Sequence, residues 1–310
     1  MGVLQLASTE EVRRYARGSL QLAGTASTLP VQLDDVAAAA KLRKGDLFAI
    51  PSDAPPALRT AMAKLRGKTL GLLHVADRRI YVDNSLALGR RRFTEGHEIA
   101  HGVLPWHAGA YFADDEYTIA PATRAKLEQE ANVFSSEVLF CGNRFADETD
   151  GYAPGLQVPL AMTSLFQASA HASLRRYGEH SSHELALLVL GRYPVSTTSG
   201  PRLRVFADQS VATPRFETRF GPVTDLFPHP VPATEGPFAS MLAGLKEATI
   251  AAAEVAVDTR RGSVTFNAEA FSNNRLYFVL LWRRRPLAGR KMQLHDLSGG
   301  LLRPPAAARR

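Results

Sequence analysis

The stretch Arg92-Phe93-Thr94-Glu95-Gly96-His97-Glu98-Ile99-Ala100-His101 decides how the rest of the chain is interpreted. It ends in the pattern His-Glu-x-x-His. Residues four positions apart in a helix lie one turn apart on one face, so both imidazoles can reach one metal ion. Glu98 then lies beside that ion, where a carboxylate can hold and deprotonate a water molecule. The alternative is a surface helix in which two of the nine histidines have this spacing by chance.

The composition indicates a globular protein with more than one domain. The 310 residues are 45% hydrophobic and 22% charged, which is ordinary for a soluble protein of two or three domains. The one cysteine, Cys141, excludes an intramolecular disulfide and fits a reducing compartment. The chain lacks a signal-peptide pattern and an apolar run long enough to cross a bilayer. We therefore expect a cytoplasmic protein with no membrane partner.

The elements around the motif predict a small sheet followed by a central helix. Helical spacing is present at residues 9–22 and 33–42. Strand signals at 70–75 and 79–82 are separated by a short turn and predict a hairpin. The motif helix carries enough apolar residues to be buried, and Pro105 should end it.

His107 is the first candidate for the third metal ligand that a catalytic zinc requires. It lies six residues after His101, which is the spacing of metzincins. The turn between such histidines needs a glycine, but this chain has Leu104 there, followed by Pro105. A leucine before proline is held in an extended conformation. We therefore expect that His107 does not bind the metal.

Glu128 is the second candidate, within the strongly helical segment 124–140. The carboxylate can bind a metal, while Asn132, one turn later, can accept a hydrogen bond from a ligand histidine. Glu130 has a phenylalanine at that spacing and ranks below Glu128 as a ligand. We expect Glu130 and Glu137 to be solvated charges on the helix surface.

These two helices resemble those of the ImmA/IrrE family of metallopeptidases. The residues that carry the resemblance are Arg92-Phe93-Thr94 with His97-Glu98-Ile99-Ala100-His101, and Glu128-x-Glu130-Ala131-Asn132-x-Phe134. Weaker similarity lies at residues 29–33 and 80–84, so the resemblance covers roughly residues 29–140. Ala100 stands where the family usually has glycine, and the exit of the second helix also departs from the family pattern.

The resemblance implies a zincin-like metallopeptidase. In such a protein His97, His101 and Glu128 bind zinc, although manganese or iron suits the same ligands, and Glu98 is the catalytic acid/base. A tyrosine or histidine usually stabilises the oxyanion at such sites. Tyr111, Tyr117 and His107 are the candidates for this role or for substrate contact.

The resemblance also implies a protein substrate, typically a helix-turn-helix transcriptional repressor. Cleavage of the repressor would switch on stress-response or mobile-element genes. The alternative function is a non-enzymatic DNA-binding or sensor regulator with a relic peptidase domain.

Residues 160–191 have a helical pattern, with a turn at Ala168-Ser169 and a capping box at Ser181-x-x-Glu184. Two helices around such a turn resemble a helix-turn-helix, and Arg175 and Arg176 could contact phosphate. The net charge of +7 permits DNA contact but does not establish it. The simpler interpretation is a helical bundle that supports the peptidase or a protein partner.

The remaining sequence predicts a small C-terminal domain with an antiparallel sheet. A Ser/Thr-rich linker is expected at 193–201 and a helix at 238–253. Strand signals lie at 203–206, 263–266 and 276–282. In a member of the family that the chain resembles, the C-terminal domain looks GAF-like, a sensor fold.

The predicted fold class is therefore α+β with several domains. The predicted domains are a zincin-like metallopeptidase domain (1–148), a helical, helix-turn-helix-like segment (149–196) and a C-terminal α/β sensor-like domain (197–310).

Overall fold

The structure is a computed structural model, and it describes residues 8–49, 60, 70–75, 77–107, 121–197, 200–207, 209–226, 231–232 and 235–283. The helices are α1 (Thr9–Leu22), α2 (Leu33–Ala39), α3 (Leu88–Val103), α4 (Pro121–Leu139), α5 (Arg144–Thr149), α6 (Gln157–Phe166), α7 (Ala170–His180), α8 (Pro214–Phe220), the 3-10 turn η1 (Val223–Leu226) and α9 (Ala239–Leu242). The strands are β1 (Arg43–Asp46), β2 (Gly71–His74), β3 (Arg79–Val82), β4 (Leu185–Thr197), β5 (Gly200–Ala207), β6 (Val211–Ala212), β7 (Val231–Pro232), β8 (Ile250–Thr259), β9 (Gly262–Ser272) and β10 (Leu276–Trp282). This mixture of helices and two sheets confirms the α+β class. Within the described residues, no helix is both long and apolar enough to cross a membrane.

The smaller sheet has the strand order β1-β3-β2 and lies beside the motif helix α3. The predicted hairpin is confirmed, since β2 pairs antiparallel with β3 and Gly71 lies opposite Val82. Strand β1, which pairs parallel with β3, was not predicted because Arg43-Lys44-Gly45-Asp46 has no apolar alternation. The motif helix ends at Val103, and Leu104 is extended (φ −75°, ψ 114°), as expected for a residue before proline.

Helices α3 and α4 pack closely in a core that they share with α1 and α2. The close approach depends on Gly96, because a Cβ atom there would lie 2.6 Å from Ser135 Oγ. Ser135 Oγ in turn donates a hydrogen bond to the Phe93 carbonyl oxygen at 2.8 Å. This contact fixes the two helices at the level where both carry their metal-site candidates.

The larger sheet has the order β7-β5-β4-β10-β9-β8, with β6 beside β4, and its pairs are antiparallel. One face packs on α8, η1 and α9 in a core that contains Phe216 and Phe266. The other face packs on α6, α7 and the end of α4, in a core that contains Phe140, Tyr177 and Phe278. The larger sheet is therefore joined to the helix that carries Glu128.

The prediction of a helix at residues 185–190 is wrong, because these residues begin strand β4. Leu185, Leu187 and Val189 face one core while Ala186, Leu188 and Leu190 face the other. A strand buried on both faces is continuously apolar, and its periodicity cannot be told from that of a buried helix.

The predicted capping box at Ser181 and Glu184 does not form. Ser181 Oγ donates to Asp150 Oδ1 at 3.0 Å, while Glu184 pairs with Arg219 at 3.0 Å. The predicted linker at 193–201 is the rest of β4 and the start of β5. The domain boundary at 196–197 therefore falls inside a paired β-hairpin.

The helix predicted at 238–253 is also wrong over most of its length. Helix α9 covers only Ala239–Leu242, and β8 begins at Ile250. The alanines at 251–253 pair with residues 268–270 of β9, so sheet pairing overrides their helix propensity. The strand signals at 203–206, 263–266 and 276–282 are confirmed by β5, β9 and β10. Neither a GAF-like fold nor a DNA-binding role follows from this arrangement.

Candidate metal centre

Three side chains from α3 and α4 converge on one point. His97 Nε2 lies 3.1 Å from His101 Nε2 and 3.1 Å from Glu128 Oε2. His101 Nε2 lies 3.7 Å from Glu128 Oε1. His97, His101 and Glu128 are the group of potential ligands that meets within the described residues.

This geometry fits a divalent cation. Zinc bonds of about 2.0–2.1 Å in a tetrahedral site place ligand atoms about 3.3 Å apart, close to the observed spacings. The Nδ1 atom of His97 lies 3.0 Å from Asn132 Oδ1, and an amide oxygen only accepts, so the ring proton is on Nδ1. When His97 is neutral, its Nε2 lone pair is directed at the other two donor atoms, an arrangement that a cation stabilises. The hydrogen bond expected between Asn132 and a ligand histidine is confirmed.

The pKa values of the three candidate ligands favour metal binding in part. Burial, together with the charges of His97 and His107, lowers the pKa of His101 to about 3. The hydrogen bond from His97 holds the pKa of Glu128 below its usual range. Burial alone would lower the pKa of His97, but the Glu128 hydrogen bond and the Glu98 charge raise it above its usual value. Metal binding must therefore displace a proton held between His97 and Glu128.

Glu98 lies next to the ligands but faces the small sheet. Its residue is 8% exposed, and a Cβ atom on Gly71 of β2 would lie 2.6 Å from Glu98 Oε1. Glycine at position 71 thus leaves the room that the carboxylate occupies. Burial, reinforced by the charge of Glu128 and opposed by that of His97, raises the pKa of Glu98 to about 7.

His107 lies behind His101, away from the point where the ligands meet. Its Nδ1 is 2.9 Å from His101 Nδ1, and its Nε2 is 3.1 Å from Glu130 Oε2. The exclusion of His107 as a metal ligand agrees with this position. The proposal that His107 contacts substrate or an oxyanion is wrong, because the side chain is fully buried.

The expectation that Glu130 and Glu137 are solvated is also wrong. Both are 2% exposed. Trp106 Nε1 donates to Glu130 Oε2 at 2.7 Å, and Arg176 pairs with Glu137 Oε2 at 3.1 Å. The burial of Glu130 could have been predicted, because Phe134 lies one turn later on the same helix face and that face packs in the core. No comparable feature of the sequence indicated the role of Gly71.

Of the four remaining predicted contacts, Arg175 and Arg176 lie in the described residues, and neither is part of the centre. Tyr111 and Tyr117 lie outside the described residues. Arg176 is buried, and its guanidinium donates to Glu137 and to the Gly142 carbonyl oxygen at 2.6 Å, so its assignment as a phosphate contact is wrong. Arg175 pairs with Glu179 at 2.8 Å on the surface.

A helix with His-Glu-x-x-His, a glutamate from a second helix that meets both histidines, and a small sheet beside them form an arrangement that is typical of metallopeptidases. A family model confirms the resemblance: the IrrE N-terminal-like domain of peptidase family M78 matches residues 59–177.

Two further comparisons add nothing about function. No curated protein matches the chain. A solved structure titled Mycobacterium tuberculosis transcriptional regulator is similar over 88% of this chain and 79% of that one, with 13% identity and a TM-score of 0.47. A likeness of that size carries no conclusion about this protein.

Proposed function

We propose that the chain is a metal-dependent endopeptidase with His97, His101 and Glu128 as metal ligands and Glu98 as general acid/base. The observation that supports this most strongly is the convergence of three lone-pair donors at 3.1–3.7 Å, next to a buried carboxylate. Zinc suits this ligand set, and manganese or iron also fits.

A bound divalent cation would supply Lewis acidity, which polarises a peptide carbonyl and acidifies water. Glu98, whose pKa burial raises to about 7 in the metal-free protein, would accept a proton from that water and return it to the leaving amine. Asn132 Oδ1 accepts a hydrogen bond from His97 Nδ1 and so fixes the orientation of the imidazole ring. The described residues near the ligands do not identify an oxyanion-stabilising group.

Strand β2 offers a docking edge for an extended substrate. Within the described residues, β2 pairs only with β3, and Leu72 on β2 is 48% exposed. A peptide that added to this edge would gain main-chain hydrogen bonds, as in other cases of β-strand addition. The contact between Gly71 and Glu98 would bring the peptide backbone to the carboxylate.

The substrate we propose is a helix-turn-helix repressor, because the family that the chain resembles typically cleaves such proteins. A repressor substrate implies a cytoplasmic enzyme whose cleavage derepresses genes. DNA contact is not needed for this function, and the burial of Arg176 weakens the case for it.

Incubation with a purified helix-turn-helix repressor encoded in the same genome tests the proposal. The zinc-loaded wild type should cleave it, a chelator should stop cleavage, and Glu98→Gln should lower the rate by about 100- to 10,000-fold while zinc remains bound. Glu148→Gln, a surface substitution in the Arg144 ion pair, is the matched control. Undiminished cleavage by Glu98→Gln contradicts the mechanism, and zinc binding without cleavage supports the relic-domain alternative.

A further inference from the structure

A row of buried polar side chains lies behind His101, and the proposed proton transfers do not use it. His107 links His101 to Glu130 through contacts of 2.9 and 3.1 Å. Trp106 Nε1 donates to the same Glu130 oxygen at 2.7 Å. The edge-on contact of Trp106 with Tyr15, with ring centroids 5.3 Å apart, anchors that donor against α1.

The direction of each hydrogen bond follows from the donors and acceptors present. The Trp106 indole can only donate, so Glu130 Oε2 is an acceptor. A carboxylate only accepts, so His107 donates to the same oxygen from Nε2. A neutral His107 then has a bare Nδ1, which accepts the proton that His101 carries on its own Nδ1.

The result for His101 is a single tautomer. With the ring proton on Nδ1, the Nε2 atom keeps its lone pair and faces His97 Nε2 and Glu128 Oε1 at 3.1 and 3.7 Å. The opposite tautomer would place a proton where a metal ligand atom is required. For His97, the Asn132 oxygen accepts the Nδ1 proton directly and so sets the same tautomer without an intervening residue.

We infer that Glu130, acting through His107, is a positioning residue that sets the metal-binding tautomer of His101. The inference rests on the proposed ligand set. Neither residue touches the substrate or the reacting atoms. Their effect is on metal affinity, because partners that orient ligand histidines typically change it by about 10- to 100-fold.

Two substitutions at His107 separate this role from simple packing. His107→Asn removes the ring but keeps an oxygen that can accept from His101 Nδ1, while His107→Leu removes the ring and the acceptor together. Zinc affinity, measured by competition with a chromophoric chelator, should stay close to wild type in His107→Asn and fall about 10- to 100-fold in His107→Leu. Urea unfolding of the metal-free variants shows how much each one loses in stability.

Equal zinc affinity in the two variants overturns the inference, since a packing role would affect both alike. A long-range proton–nitrogen NMR spectrum of the metal-free wild type needs no variant. It should show His101 protonated at Nδ1 and bare at Nε2, and the opposite tautomer overturns the inference.

If wild-type zinc binding does not depend on His97, the proposed function itself fails. If zinc binding depends on His97 but His107→Leu binds zinc normally, the proposed function stands and only the role inferred for Glu130 and His107 fails.

Discussion

Replacing Glu98 with glutamine should stabilise the metal-free protein above neutral pH. Burial raises the pKa of Glu98 from 4.5 to about 7, so between these values the folded protein holds a proton that the unfolded chain has lost. The free energy of unfolding of the wild type therefore decreases as the pH rises through this window. At about 1.4 kcal/mol per pH unit the cost reaches about 3 kcal/mol above pH 7, and glutamine, which does not ionise, avoids it.

Urea unfolding in the presence of a chelator measures this effect. At pH 4.5 the two proteins should differ little, and at pH 8 Glu98→Gln should be more stable by up to about 3 kcal/mol. Glu148→Gln, whose side chain is 30% exposed, should show no such pH-dependent gain. A stability difference that is the same at both pH values, or a less stable Glu98→Gln at pH 8, refutes the reasoning.

Three further changes have expected outcomes. Gly71→Ala should lower cleavage and leave zinc binding nearly intact, because the new Cβ displaces Glu98; steady-state kinetics and zinc titration check this. Arg176→Ala should destabilise the protein by up to about 3–5 kcal/mol, since it removes the nearer partner of the buried Glu137 and leaves only Arg17 at 3.7 Å, whereas Arg175→Ala should change stability by less than about 1 kcal/mol; urea unfolding of both variants checks this. Zinc at 100 times its dissociation constant should raise the unfolding free energy by about 2.7 kcal/mol, and a melting temperature that does not respond to zinc would contradict a folded-state site.

Much of the candidate centre could be predicted from the sequence because its geometry is local. One helical turn relates His97 to His101, and another relates Glu128 to Asn132. Leu104 before Pro105 correctly excluded a turn that would bring His107 onto the metal. Only the meeting of the two helices had to come from tertiary structure, and the family resemblance anticipated it.

The burial of the charged residues could not be predicted in the same way. Glu130 finds its partners 23 and 24 positions earlier, at His107 and Trp106. Glu137 meets Arg176 39 positions later. Sequence spacing within one helix says nothing about such distant partners, so these carboxylates were assigned to solvent.

The C-terminal half was predicted poorly where strands are buried or rich in alanine. The two-sided burial of Leu185–Leu190 removed the alternation that identifies a strand. The alanines at 251–253 favour a helix locally but pair with β9. In both cases long-range sheet pairing decides the structure, and a short sequence window does not contain that information.

Zinc titration of the metal-free protein by calorimetry tests the central claim most directly. The account predicts one zinc ion per wild-type chain, the same stoichiometry for Glu98→Gln, and loss of binding in His97→Ala and Glu128→Ala. Zinc binding that survives Glu128→Ala unchanged, or a wild type that takes up no metal, would contradict it.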